Sequence, residues 1–378
     1  MCTADGGRQG VSGLPSRLPV ERGDCPGRPL SSEVAGPASV SPQLQLGSAA
    51  GRCSVPPGPG SVPCPCAGSP PRAMASALGA LWLLLAAAFL AALLLELLQA
   101  PCAGAGLFQD LTRYGKTKSG RGQRPAWLRL LDVPKRWFSH FYILSVVWNG
   151  FLLLLLIQAL FLSRPFPIWL QDLLSAIGGA SQNQDVGDEH LSALLVLMLL
   201  WLHSFRRLIE CLCISVFSSG VIHILQYCLG LGYYSVIGLT VLCQVPANVS
   251  NGKDLFMQIC WYHILGIMMY IWASVHQHRC HVILANLRKS KSGKVVSLNH
   301  SIPFGDWFER VSCPHYFAEL LIYIAMAIIF GFQNLTWWLA VMFVLFNQAL
   351  AAVLCHEFYV NKFSCYPTHR KAFIPFLF

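Results

Sequence analysis

The chain has 378 residues, of which 54% are hydrophobic and only 12% are charged, and its mean hydropathy is +0.52. Soluble globular domains carry about 25% charged residues, so this composition excludes an ordinary soluble domain, and equally a disordered chain. The formal net charge of +10 is typical of basic loops in a membrane protein and does not indicate nucleic-acid binding. The 15 cysteines show no zinc-type spacing, and we expect them to be small apolar side chains.

The first 73 residues differ in composition from the rest of the chain. They are rich in Gly, Pro, Ser and Arg, as in CPGRPLSSEVAGPASVSP and SVPPGPGSVPCPCAGSPPR. A segment of this kind buries too little apolar surface to offset the entropy of ordering it. We therefore expect residues 1–73 to be a disordered extension or an artefact of an upstream start. The functional domain is predicted to be 74–378, which begins at Met74 with a long apolar run.

Apolar runs of about 20 residues recur after Met74, and this is the length that crosses about 30 Å of hydrocarbon. The pattern predicts an all-α membrane protein with about seven transmembrane helices in one bundle. The predicted spans are 76–98, 137–162, 190–205, 220–243, 257–278, 317–331 and 335–355.

The segments between these spans alternate in charge. Segments 101–136 and 279–316 and the C-terminal tail are basic, whereas segment 164–189 is acidic. Basic segments face the cytosol in most membrane proteins. An odd number of spans then places the C-terminus in the cytosol and the start of the first span in the lumen. The glycosylation sequon at Asn248 is predicted to be lumenal.

Several ionisable side chains fall inside the spans or at their ends, where they are costly and indicate function by default. His140 lies at the start of the second span, and His203 lies near the end of the third. Arg206, Arg207 and Glu210 follow, and their simplest interpretation is an ion pair at a helix end.

Three histidines, His276, His278 and His281, follow the fifth span. Their spacings of two and three residues do not place all of them on one face of a helix, and no acidic ligand is close in sequence. We therefore expect no metal at this position.

The C-terminal tail, CHEFYVNKFSCYPTHRKAFIPFLF, concentrates positive charge beside aromatic rings. Such a surface can anchor lipid headgroups, and it can equally bind the phosphates and the base of a nucleotide. No GxGxxG, Walker, GxSxG or HExxH motif occurs, so a bound nucleotide would not lie in a Rossmann domain. These features favour a membrane enzyme or carrier with a polar site that faces the cytosol.

Long segments spread over the membrane region are similar to those of one enzyme family. They are LFQDLTRYGKTKSG, DVPKRWFSHFYILSVVWNGF, LHSFRRLIECL, CHVILANLRK, IPFGDWFE and the terminal RKAFIPFLF. Through them, the chain from Met74 to Phe378 resembles the steroid 5-alpha-reductase family. The resemblance implies a seven-helix bundle in the endoplasmic reticulum membrane. It also implies an NADPH site at the cytosolic ends of the later helices.

The resemblance further implies which residues contact NADPH. The Leu-Arg element of the family falls on Leu287 and Arg288, and the basic side chains would engage the phosphates. Preference for NADPH over NADH requires at least one of these cations on the 2′-phosphate. The contacts implied for this chain are Arg288, Lys289, His315, His356, Tyr359, Tyr366, Arg370 and Lys371.

Two departures from the family pattern bear on the substrate. Steroid-reducing members have a Gln-Glu pair in the second helix, where this chain has His140 and Phe141, and a tyrosine of their third helix is replaced by Ser204. The groups that hold a 3-keto steroid are therefore missing. The departures fit a longer isoprenoid lipid, with Trp137, Phe141 and Ser204 as the candidate substrate contacts. Trp137 and Phe141 belong to an aromatic stripe that could guide the lipid tail, although packing against membrane lipid better explains most rings of this stripe.

Hydride addition to a carbon–carbon double bond requires a group that accepts the developing negative charge. An unsaturated aldehyde delocalises this charge onto oxygen, whereas an allylic alcohol does not, so we expect polyprenal to be the substrate and not polyprenol. This reduction belongs to the synthesis of dolichol for protein N-glycosylation. His140 and Tyr142 are the candidates for polarising the aldehyde, and His356 with Tyr359 for orienting the nicotinamide or relaying the proton.

Three alternatives stay open. One is a reductase of 3-oxo-Δ4 steroids, and a second is a membrane methyltransferase of the isoprenylcysteine type, which S-adenosylmethionine binding would identify. The third is a transporter, which the lack of an internal repeat disfavours.

Overall fold

The computed structural model describes residues 76–98, 105–118, 126–178, 188–245, 258–290 and 292–378. The predicted extension 1–73, the sequon at Asn248 and the basic residues Arg121 and Arg124 lie outside the described residues. The described part is mostly helical, as predicted. Its α-helices are α1 (Ala77–Leu97), α2 (Ala105–Thr112), α3 (Ala126–Leu130), α4 (Phe138–Leu162), α5 (Ile168–Gly178), α6 (Asp188–Ile209), α7 (Ile224–Leu242), α8 (Trp261–Asn286), α9 (Pro314–Ile329) and α10 (Leu335–Lys362).

Five of these helices, α1, α4, α6, α7 and α10, are long and apolar enough to cross a membrane. They coincide with five of the predicted spans and show a multi-pass membrane protein. The remaining two predicted spans fall on α8, which has 26 residues but carries several polar side chains, and on α9, which is apolar but has only 16 residues.

The helices form one bundle, in which α1 packs along α10, α4 packs on α6 and α7, and α8 packs along α9. Two glycines permit close helix approach, as small residues do in membranes. A Cβ at Gly238 of α7 would overlap the side chain of Asn149 on α4, and a Cβ at Gly266 of α8 would lie 2.8 Å from the carbonyl oxygen of Ala325 on α9.

A short antiparallel pair of strands joins the N-terminal ends of α4 and α7. Strand β1 (Asp132–Pro134) precedes α4, strand β2 (Val221–His223) precedes α7, and Val133 pairs with Ile222. The two helices therefore begin at the same end of the bundle.

Side-chain contacts bring further helix ends to this position. Arg113 forms an ion pair with Glu96 at the end of α1, and its Nη2 lies 3.8 Å from Glu357 Oε2 near the end of α10. Lys289 Nζ, just after α8, donates to Ile214 O, just after α6, at 3.0 Å. The C-terminal ends of α1, α6, α8 and α10 thus lie with the N-terminal ends of α4 and α7, and the basic segments meet there.

Helix lengths differ from the predicted spans where polar residues stay helical. Beyond predicted residue 205, α6 runs on to Ile209 and continues as a π-turn over Glu210–Ile214. Similarly, α10 continues two turns beyond residue 355, to Lys362. The predicted loop 164–189 contains α5. The length of an apolar run determines the membrane span, but a helix can continue beyond it through polar residues. The extra turns were therefore not predicted.

Candidate active site

The tail folds back on the segment before α9, and this places several predicted site residues together. Ser312 N–H donates to Lys371 O at 2.9 Å, and Lys371 N–H donates to Arg310 O at 2.9 Å. Pro314 starts α9 two residues after Ser312, at a position where its missing N–H is harmless. This bridge brings the tail beside the last turns of α10.

The centre of the site is a group of four side chains, Ser312, His356, Tyr359 and Tyr366, which we call the terminal cluster. Ser312 Oγ lies 2.6 Å from His356 Nδ1 and 2.6 Å from Tyr366 Oη. The rings of Tyr359 and Tyr366 stack with centroids 5.5 Å apart and planes 4° apart. His356 is half-buried, whereas the other three members are buried. The sequence prediction named three of these residues, and the structure does bring them together.

Lys116 belongs to the same site, although no role was predicted for it. Its Nζ lies 4.0 Å from the ring centre of Tyr359. Next to it, Tyr114 Oη lies 3.0 Å from Tyr316 Oη on α9. Burial raises the pKa of Tyr114 to about 12, so this phenol keeps its proton at neutral pH.

Four cations lie close enough to the half-buried His300 to lower its pKa, and we call them the cationic rim. The Nζ atoms of Lys116 and Lys362 lie 5.5 and 5.4 Å from the ring centre of Phe358, and the His300 ring lies 5.3 Å from it. Burial and these cations together lower the pKa of His300 to about 4. Among the described residues, none of the four has a carboxylate partner. The rim consists of Lys116, Lys135, Arg288 and Lys362.

The predicted phosphate contacts, including Arg288 of the rim, also form hydrogen bonds within the protein. Lys289 Nζ bonds to a backbone carbonyl, as described above, and Arg288 Nη1 donates to Val216 O. Arg370 is 2% exposed, and its Nη1 donates to Pro303 O at 2.8 Å. The side chain of Lys371 is exposed, while its backbone forms the bridge to Ser312.

A second polar group lies at the ends of α6 and α8 and centres on Glu210, which is 1% exposed. We call it the Glu210 network. Arg206 Nη1 donates to Glu210 Oε1 at 2.6 Å, and Arg207 donates to Oε2. His278 Nδ1 lies 2.8 Å from Oε1 and His281 Nδ1 lies 2.8 Å from Oε2. The predicted ion pair is thus present, and it includes two of the three clustered histidines.

The third clustered histidine, His276, lies elsewhere. Its Nδ1 is 3.4 Å from Asp306 Oδ1, and its ring stacks on Trp307 at 4.4 Å. Acidic groups therefore approach all three histidines from distant parts of the chain, which the sequence spacing did not show. In the part of the chain that the structure describes, no group of three or more His, Cys, Asp and Glu side chains could hold a metal ion.

The first turns of α9 connect the terminal cluster with the Glu210 network. The ring of His315 lies 5.8 Å from that of His281, and Gln277 Nε2 donates to His315 O at 3.3 Å. Glu319, one turn further along α9, is 8% exposed and accepts from Gln277, and its Oε1 lies 3.2 Å from His203 Nε2. The sequence reasoning gave no role to Glu319.

The residues predicted on α4 form two different environments. His140 Nδ1 lies 3.0 Å from Tyr227 Oη on α7, and its ring packs on Trp137 at 5.4 Å. Tyr142, which is 3% exposed, accepts from Arg207 Nε at 3.3 Å, so it is linked to the Glu210 network. Among the described residues, no hydrogen bond or ion pair joins His140 or Tyr142 to the terminal cluster.

Two predicted substrate residues lie within the packed bundle. Phe141 is 5% exposed and stacks on Tyr234 of α7. Ser204 donates to Leu200 O at 2.9 Å, and its Oγ lies 2.7 Å from Ser145 Oγ. Trp137 is more open, with 36% of its surface exposed.

Two residues of the site, Ser312 and Lys116, were missed by sequence reasoning for different reasons. Lys116 lies in the segment RYGKTKSG, whose basic character was noted but whose neighbours were unknown. Ser312 lies in ERVSCPH, where nothing about a single serine indicates chemistry. Only the fold-back of the tail makes its position informative.

The chain is similar to several known proteins. A family described as 3-oxo-5-alpha-steroid 4-dehydrogenase matches residues 223–378, which include α7 to α10 and the tail. The chain is 62% identical over 306 residues to a polyprenal reductase of Homo sapiens, covering 80% of this chain and 96% of the relative. It is 60% identical over 307 residues to that of Xenopus tropicalis, covering 80% and 99%. It is 50% identical over 300 residues to that of Danio rerio, covering 79% and 96%.

This chain therefore belongs to the steroid 5-alpha-reductase family. The match to the relatives extends over nearly their whole length, so it includes the helices that build the site as well as the tail.

Proposed function

We propose that this protein is an NADPH-dependent reductase of the α,β carbon–carbon double bond of polyprenal, and that it acts in dolichol synthesis for protein N-glycosylation. The three relatives described above are matched over nearly their full length, and each is named a polyprenal reductase. The observation that carries the proposal is the terminal cluster, in which His356 is bonded to Ser312 beside cations that lack carboxylate partners.

The same proposal includes seven membrane-spanning helices, with α8 and α9 as the fifth and sixth. The contacts described above support seven spans. With α8 and α9 included, each helix that ends at the basic end of the bundle is followed by one that begins there. Since basic segments face the cytosol, the site and the C-terminus lie on that side of the endoplasmic reticulum membrane.

The residues of the rim fit the charges of NADPH. A dinucleotide phosphate carries several negative charges, and cations without partners are stabilised by such a ligand. Lys116, Arg288 and Lys362 would hold phosphates, and the stacked rings of Tyr359 and Tyr366 offer flat surfaces for a base or a nicotinamide. When bound, NADPH supplies the hydride.

The aldehyde oxygen requires a hydrogen-bond donor, because the negative charge of the enolate develops there. We assign this role to Tyr142. Arg207 Nε donates to the phenol oxygen, and its positive charge beside the ring favours an anion that develops on a bound aldehyde. His140 is the second candidate, but its Nδ1 is engaged by Tyr227.

His356 is assigned as the proton donor to the α carbon. Its Nδ1 is held by Ser312, and its other ring nitrogen, Nε2, has no hydrogen-bond partner among the described residues. A histidine held at one nitrogen and open at the other can deliver a proton in a fixed direction.

The direct test is an assay of the purified full chain in lipid nanodiscs with NADPH and polyprenal, in which mass spectrometry follows the product. We expect saturation of the α-isoprene unit to give dolichal. Parallel reactions contain polyprenol or a 3-oxo-Δ4 steroid in place of polyprenal. Turnover of polyprenol or of the steroid without turnover of polyprenal would overturn the proposal.

Two variants locate the activity. We expect His356→Ala to abolish reduction, while His369→Ala, an exposed histidine of the same tail, keeps it. We expect Tyr142→Phe to lower kcat by about 10²–10³, the usual effect of losing a donor to a developing oxyanion. Full activity in either His356→Ala or Tyr142→Phe would remove that residue from the mechanism.

A further inference from the structure

Ser312 has more hydrogen-bonding neighbours than its hydroxyl has protons. Its Oγ lies 2.6 Å from His356 Nδ1, 2.6 Å from Tyr366 Oη and 3.3 Å from Lys371 O, and the residue is 1% exposed. A serine hydroxyl donates one hydrogen bond and accepts up to two. The direction in which its single proton points therefore decides which tautomer His356 adopts.

The neighbours of Tyr366 set the first direction in this chain of hydrogen bonds. The guanidinium of Arg370 lies beside its ring, with Cζ 5.5 Å from the ring centre, and a guanidinium has no acceptor. Burial also raises the pKa of Tyr366, so the phenol keeps its proton. Among the described residues, Ser312 is the acceptor that Tyr366 meets, at 2.6 Å, so Tyr366 donates and Ser312 accepts.

The serine proton then has two acceptors to choose between. Lys371 O lies 3.3 Å away and already accepts the backbone N–H of Ser312 at 2.9 Å. His356 Nδ1 lies at 2.6 Å, a much shorter separation. Because hydrogen bonds weaken with distance, the proton of Ser312 points to His356 Nδ1. A neutral imidazole that accepts at Nδ1 carries its proton on Nε2.

We infer that Ser312 is a positioning residue of the reaction, which holds His356 in the tautomer that presents Nε2–H to the substrate. The catalytic part of this inference rests on the proposed function, while the tautomer is a property of the protein alone. After His356 gives up the Nε2 proton, the ring is an imidazolate unless a proton reaches Nδ1. Ser312 lies on that nitrogen, so its proton moves to Nδ1 as the proton of Tyr366 moves to Ser312. The phenolate that this leaves on Tyr366 lies beside the Arg370 guanidinium and takes a proton from water before the next turnover.

The kinetic test compares Ser312→Ala and Ser312→Thr with the wild type in nanodiscs. We expect Ser312→Ala to lower kcat by about 10- to 100-fold, which is part of the roughly 10²–10⁴-fold that general acid catalysis contributes, with KM for NADPH changed less than about threefold. We expect Ser312→Thr to keep most of the activity, because it retains the hydroxyl. The matched control is Ser235→Ala on α7, which removes a hydroxyl bonded only to Leu231 O of its own helix.

The pH dependence distinguishes positioning from packing. The Ser312 hydroxyl donates to the unprotonated Nδ1 and so favours the neutral ring; without it the pKa of His356 rises, and the pH profile of kcat should shift in Ser312→Ala and be kept in Ser312→Thr. A packing defect would lower kcat by the same factor at every pH. An unchanged kcat and profile in Ser312→Ala would overturn the inference.

Nitrogen-15 NMR of histidine-labelled protein tests the tautomer without any turnover. The His356 signals are assigned by their loss in His356→Gln. We expect an unprotonated Nδ1 and a protonated Nε2 in the wild type, and a mixture of tautomers in Ser312→Ala. A protonated Nδ1 in the wild type would contradict the inference even if polyprenal reduction is confirmed. Conversely, absence of polyprenal reduction would end the proposed function and leave the tautomer result standing.

Discussion

The Glu210 network and the cationic rim are both groups of basic side chains around one residue, but only the network has a carboxylate at its centre. In the network, two arginines and two histidines share one carboxylate that is 1% exposed. In the rim, four cations lie around His300, and none has a carboxylate partner among the described residues. The charges of the first group are balanced by a carboxylate of the protein, whereas in the proposed function those of the second are balanced by the phosphates of NADPH.

This difference separates a structural role from a binding role. A buried carboxylate with several donors fixes the ends of α6 and α8 relative to each other, and the π-turn that starts at Glu210 is a feature often found near functional sites. Cations that repel one another destabilise the unliganded protein, and an anionic ligand removes this repulsion. Mutations in the two groups should therefore affect different measurements.

The largest effect is expected for Glu210→Gln. Loss of the carboxylate leaves Arg206 and Arg207 without their charged partner in a buried site, and breaking such a pair costs about 3–5 kcal/mol. We expect little folded protein by size-exclusion chromatography and a much lower melting temperature. His278→Gln is the matched control. Its side chain is 44% exposed, so loss of its contact to the same carboxylate should change stability by under about 1 kcal/mol. Equal stability of both variants would show that the network is not structural.

A smaller effect is expected for Lys116→Ala, and it concerns the affinity for NADPH and not the stability of the protein. One charge-assisted hydrogen bond contributes about 1.5–3 kcal/mol, so Kd for NADPH should rise by about 10- to 100-fold while the melting temperature of the unliganded protein is kept or rises. Lys294→Ala, an exposed lysine on the loop after α8, is the control. If fluorescence titration gave the same Kd for both variants, Lys116 would not belong to the cofactor site.

The pH dependence of NADPH binding should show the rim directly. The pKa of His300 is lowered to about 4 in the protein, below its usual value near 6.5, because of burial and the surrounding cations. An anion on the rim raises this pKa, so binding takes up a proton and becomes tighter as the pH falls from 6.5 towards 4. We expect wild-type affinity to improve by about three- to tenfold over this window relative to His300→Gln. Parallel titration curves for the two proteins would contradict the prediction.

The smallest effect is expected for Tyr227→Phe. This change removes the hydroxyl 3.0 Å from His140 Nδ1 but keeps the ring contacts with Trp137. If Tyr142 polarises the aldehyde, kcat for polyprenal should change by less than about threefold, since only one neutral hydrogen bond is lost. A loss of tenfold or more would transfer the polarising role to His140.

The sequence predicted the bundle well, because apolar runs determine where membrane helices form. It also predicted that His356, Tyr359 and Tyr366 share a site, since the family pattern places them in one tail. It could not predict which residues approach this tail from elsewhere. Ser312 and Lys116 reach it through the fold-back of the tail and through the loop before α4, and no local pattern marks such contacts.

The charged residues at the basic end of the bundle show the same limit of prediction from sequence. Arg370 was predicted on a phosphate, which stays a prediction; the contacts of its guanidinium with Pro303 O and with the ring of Phe304 were not predicted. Glu210 was expected in an ion pair, and its two histidine partners lie about 70 residues away. Charge and spacing identify the residue types available, whereas helix packing decides which of them become neutralised.

A deuterium-transfer experiment tests the central claim most directly. Purified protein is given polyprenal and NADPH that carries two deuterium atoms at C4, and the product is analysed by mass spectrometry with fragmentation. We predict one deuterium on the β carbon of dolichal, with an intact aldehyde, and no transfer in His356→Ala. Deuterium on the aldehyde carbon, which would mean reduction to polyprenol, or no transfer at all in the wild type would contradict the account.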